Sequence, residues 1–128
     1  MQRKHTVICL CGSTKYKEYF EKYRREFTLK ENIVLDTGGV YGHVDSDIDM
    51  SGQIKQKLDH LHLSKIELSD EIFVINPDMR IGLSTCNEII YALYLKKKVK
   101  FLNPPLPENE WERLIEEFHE YCGDYKNE

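Results

Sequence analysis

The chain predicts a single α/β domain built on a parallel sheet. Short apolar runs alternate with longer stretches whose apolar residues recur at helical spacing, and that alternation implies parallel strands joined by right-handed crossovers. The first run, Thr6 to Cys11, is apolar in character along its length, as in a strand covered on both faces. The chain has 128 residues, enough for one domain and one core, with the whole of 1–128 read as that domain and its core spanning about 6–122.

Thr6 to Cys11 is the first strand and Gly12-Ser13-Thr14 its turn. Lys15 to about Lys30 is a helix, with Tyr16, Tyr19, Phe20, Tyr23 and Phe27 forming a stripe that reads as core. Ile33 to Leu35 is a second short strand. Asp36 to Met50 is irregular, broken by Gly38-Gly39, Gly42 and an acidic cluster, and a loop this long is usually functional or mobile. Ser51 to Ser69 is a second helix, with Ile54, Leu58, Leu61, Ile66 and Leu68 expected to face inward. Glu71 to Ile75 is the third strand, Ser84 to Lys97 the third helix, and Val99 to Leu102 the fourth strand. Pro104-Pro105 and Pro107 force a turn before a last helix from Glu108 to Tyr121. The expected architecture is a three-layer Rossmann-like or flavodoxin-like domain with a parallel sheet of four or five strands.

Charge and composition narrow the function classes. A net charge of -4 argues against a surface for nucleic acid polymers, while leaving room for a small basic site. The longest apolar runs are strand-sized, so no membrane span is expected. Residues 6–11 are too short for an export signal, which points to the cytoplasm. Cys9, Cys11, Cys86 and Cys122 have no metal-ligand spacing. Cys9 and Cys11 share one face of a strand and read as buried, reduced thiols.

Several residues carry chemistry. Gly12-Ser13-Thr14-Lys15 joins a strand to a helix and offers backbone N–H groups, a hydroxyl and a cation to an anion; its plain alternative is a tight turn with Ser13 or Thr14 as helix cap. Glu88 is expected in the first turn of a helix just past a strand end, where ligands bind in open parallel sheets. Thr85-Cys86-Asn87-Glu88 also fits a capping box, and the local pattern alone favours that role. Asp45, Asp47 and Asp49 imitate a calcium loop but lack its glycine and its closing glutamate, so they read as a solvated acidic loop at the ligand end of the sheet. His60 and His62 do not share a helix face and make a poor metal pair; one of them could face the crevice.

Taken together, these motifs resemble the nucleoside 2-deoxyribosyltransferase superfamily, including its 2'-deoxynucleoside 5'-monophosphate N-glycosidase branch. Cys11-Gly12-Ser13-Thr14-Lys15 followed by Tyr23-Arg24-Arg25 resembles that branch's opening strand and helix. Leu68 to Ile75 resembles the family's entry into its third strand, and Gly82 to Ala92 its loop ending in a catalytic Glu. The similarity spans roughly residues 6–102. It implies that Glu88 is a nucleophile at C1' of a deoxyribose, and that Gly12, Ser13, Lys15 and Ser84 bind substrate with no cofactor or metal. It also implies a small deoxynucleotide or deoxynucleoside as partner, and a homodimer or higher homo-oligomer. The chain departs from the family at Gly82, where a polar ligand-binding residue is usual, and at His62, which falls where an Asp is usual. His62 thereby becomes a candidate acid for the leaving base, with Asp45, Asp47 and Asp78 as alternatives. Two rival readings are a nucleotide-sensing module without turnover and a ribonucleotide phosphoribohydrolase. The latter lacks its usual Pro-Gly-Gly-x-Gly-Thr loop here.

Overall fold

A computed structural model describes residues 4–104. The strands are β1 (Val7–Gly12), β2 (Ile33–Leu35), β3 (Glu71–Ile75) and β4 (Lys98–Phe101). The helices are α1 (Lys17–Leu29), α2 (Gln53–Leu68) and α3 (Leu83–Tyr94). The strands form one parallel sheet in the order β2-β1-β3-β4. The expected α/β class and parallel sheet are therefore present. The anticipated last helix, 108–121, lies outside the described residues. No helix among the described residues is long and apolar enough to cross a membrane.

Alternation along β1 builds two cores. Ile8 and Leu10 face α1, where they pack with Phe20, and Tyr23 and Phe27 stack against Phe73 of β3. Cys9 and Cys11 face the other way, into a cluster with Ile66 of α2 and Ile89 and Ala92 of α3. The sheet thus lies between α1 on one face and α2 with α3 on the other, as right-handed crossovers require when the chain reverses direction after β2. Tyr19, a member of the aromatic stripe expected in the core, is exposed.

Helix ends differ from the expected ones for identifiable reasons. A 3-10 turn, Thr14–Tyr16, precedes α1, so the helix proper starts two residues later than its periodicity suggests. After α3, Lys96 takes a left-handed conformation (φ 61), its N–H bonding to the Leu93 carbonyl and that of Lys97 to Ala92. This Schellman stop frees Lys98 to enter β4.

The inward face of α2 is rotated from the expected one. Ile54, Leu61 and Leu68 are exposed, while His62, Leu63 and Ile66 turn toward the sheet. Of the residues expected inward, Ile66 is fully buried and Leu58 half-buried, whereas the other three are displaced because the inward stripe contains a histidine.

Beyond the sheet, Asn76 is buried and clasps Asn103. Its amide donates to the Asn103 carbonyl at 2.7 Å, and its side-chain oxygen accepts from the Asn103 N–H at 3.0 Å. These bonds fix the carboxyl end of β3 beside the exit of β4.

Candidate active site

β1 and β3 are neighbours, but the connections leaving them run to opposite sides of the sheet. A crevice opens outside their carboxyl ends, at the topological switch point where α/β domains bind ligands. Gly12 ends β1 there, opposite Ile75. Its φ is +143, and a Cβ would stand 2.7 Å from the Ile75 carbonyl oxygen, so only glycine lets the chain leave the sheet at this point. Ser13 then caps the 3-10 turn, accepting from the Lys15 N–H at 3.4 Å.

The crevice holds a cleft of 570 Å³, within the range of small-molecule sites. Its walls bring together Gly12, Ser13, Lys15, Gly82, Ser84 and Glu88, which the sequence had singled out across seventy-odd positions. The loop after β2 reaches back to it: Thr14 Oγ1 lies 2.6 Å from His43 Nδ1 and accepts from the His43 N–H at 3.1 Å.

Glu88 is not a helix cap. The N-cap of α3 is Gly82, in extended conformation and without a side-chain hydrogen bond, so the Thr85–Glu88 capping box does not form. With Leu83 as the first helical residue, Glu88 is the sixth, in the second turn rather than the first. The macrodipole is weak there, because its effect fades within the first turn. The Glu88 side chain is 17% exposed, and its Oε2 has no hydrogen-bond partner among the described residues. Burial lifts its carboxyl to about 7, although the nearby His62 charge pulls the other way.

His62 stands behind Glu88, with Nε2 3.7 Å from Glu88 Oε2. It lines a small 90 Å³ chamber with Glu88 and not the main cleft. Its Nε2 lies 3.7 Å from the Cys9 sulfur and 3.5 Å from the Cys11 sulfur. Burial opposes the imidazolium, but the Cys9 thiol and the Glu88 charge outweigh it and raise His62 to about 9. The Cys11 thiol, against burial and together with His62, lowers Cys9 to about 5. Burial and the Cys9 charge hold Cys11 well above the usual thiol range. The cluster thus favours charge on Cys9 and His62 and opposes it on Cys11 and Glu88.

Other sequence candidates fall elsewhere. Asp45 accepts from the Tyr41 N–H at 2.8 Å, is occupied within its own loop, and does not line the cleft. Asp47 is exposed, and Asp49 accepts from the Ser51 N–H at 2.9 Å. Asp78 sits beside the cleft wall rather than in it, accepting from the Tyr16 hydroxyl at 2.6 Å. His60 is exposed.

The sequence reading missed Asp59, which lines both cavities with Glu88 and pairs with Lys55 at 2.7 Å. The signal was its position three residues before His62, on the same helix face. Arg80 and His43 also line the cleft, and no motif marked them; Tyr16, read as part of the core stripe, lines it too. Cys9 and Cys11 were read correctly as buried, but the approach of His62 from α2 was invisible in their spacing.

Compared with known proteins, the chain matches no family model and no curated protein.

Proposed function

We propose that the protein is an N-glycosidase or deoxyribosyltransferase acting on 2'-deoxynucleotides or deoxynucleosides in the cytoplasm, with Glu88 as nucleophile. One observation carries the reading: Glu88, whose buried Oε2 has no hydrogen-bond partner, lines a nucleotide-sized cleft that also holds the Gly12–Lys15 turn. The resemblance of the same segments to the deoxyribosyltransferase superfamily supports it.

In this account Ser13, the N–H groups of the turn and Lys15 hold the 5' end of the substrate. Arg80 and Lys55 add positive charge to the same cleft. Glu88 attacks C1', the glycosidic carbon–nitrogen bond breaks, and the base departs with that electron pair. The departing base takes a proton from water in the open cleft, whose wall also carries the Lys55–Asp59 pair. The glycosyl ester on Glu88 is then cleaved by water, giving free sugar and the regenerated carboxylate, or by a second base. His62 is a positioning residue: it faces Glu88 from behind and favours the ionised carboxylate. A homo-oligomer in which a neighbouring copy completes the cleft is consistent with the family resemblance.

The test is a substrate panel: deoxynucleosides, their 5'-monophosphates and the ribo-counterparts, with free base measured by chromatography. Release from deoxy substrates supports the reading. Release from ribonucleotides alone would favour a phosphoribohydrolase, and saturable binding without product a sensing module.

A further inference from the structure

We propose that Cys9, Cys11 and His62 form a three-ligand site for a thiophilic divalent cation of the zinc type, with a fourth position left for water. The three Cys and His ligand atoms lie within 4.8 Å of one another. Two elements hold them: Cys9 and Cys11 project from the same face of β1, and His62 meets them from α2. Glu88 of α3 stands beside the cluster, its buried Oε2 3.7 Å from His62 Nε2.

The spacing fits tetrahedral coordination. Zn–S bonds of about 2.3 Å and Zn–N bonds of about 2.0–2.1 Å set S···N edges near ~3.5 Å. The corresponding distances here are 3.7 and 3.5 Å from His62 Nε2 to the two sulfurs. Small side-chain rotations close the remainder. Two thiolates and an imidazole select a borderline-soft ion over magnesium or calcium, which take oxygen ligands.

Binding would displace the protons held by Cys11 and His62. Metal binding itself is independent of the glycosidase reading, because it is observed without turnover.

Cobalt(II) is the probe, added under anaerobic reducing conditions to the full chain carrying Cys86→Ser and Cys122→Ser. One equivalent is expected to give tetrahedral visible bands and a thiolate-to-cobalt charge-transfer band, both bleached when zinc displaces it. Cys11→Ala and His62→Ala are expected to weaken binding by about tenfold or more, with loss of charge-transfer intensity in the former. A folded protein showing only the pale octahedral cobalt spectrum overturns the site. So does a thiolate band that survives Cys9→Ala/Cys11→Ala.

Discussion

The His62 imidazole lies 3.7 Å from the Glu88 carboxylate, joining α2 to α3 behind the cleft. The two groups set each other's charge. Glu88 is lifted to about 7 by burial and held from rising further by His62, while His62 is raised to about 9 with help from Glu88. That coupling makes the proposed chemistry sensitive to pH in a defined direction.

Attack needs the ionised carboxylate. With Glu88 near 7, the active fraction is complete only above neutrality and falls about tenfold per pH unit below it. A pH profile of kcat/KM for base release should show an acid limb near 7. A limb near 4.5, the ordinary value for a glutamate, would contradict the burial of this carboxylate.

His62→Gln removes the charge that favours ionised Glu88. The acid limb should move alkaline by about one unit, with activity recovering at high pH. A uniform loss at every pH would mean that His62 touches the substrate or merely supports the fold.

Stability gives an independent check on the same carboxyl. A carboxyl raised on folding contributes stability fully below its unfolded value of 4.5, and loses it as pH rises through about 7. Glu88→Gln cannot lose it in this way. Unfolding followed by circular dichroism should therefore show the variant gaining on the native protein between pH 4.5 and 7, by on the order of a few kcal/mol, with no further gain above. A constant difference across that window would contradict the raised carboxyl.

Gly12→Ala tests the turn that shapes the cleft. It would force a left-handed conformation on a residue whose Cβ meets the Ile75 carbonyl at 2.7 Å. The expected cost is about 2 kcal/mol or more, read as a lowered thermal midpoint. An unchanged midpoint would show that the strand end relaxes freely.

The sheet was legible because its strands are short apolar runs. Ile33–Leu35 and Glu71–Ile75 occupy the positions their composition indicates. The site was legible in its two ends, the Gly12 turn and the Gly82–Glu88 segment, since both follow strands that the parallel topology brings side by side. Its middle was not. The sequence of α2 shows exposed Leu61 and Leu68 as readily as buried Ile66, and nothing local says that His62 turns inward to meet two thiols. The capping box at Thr85–Glu88 misled for a related reason. Its spacing is a local pattern, whereas the helix start was set by the chain leaving β3, which made Gly82 the cap and buried Thr85.

The measurement that bears most directly on the central claim compares native protein with Glu88→Gln on deoxynucleoside 5'-monophosphates, with free base quantified by chromatography and folding checked in parallel. Base release by the native protein, reduced about a thousandfold or more in a folded variant, is the predicted result. Release that persists undiminished in Glu88→Gln would contradict the account.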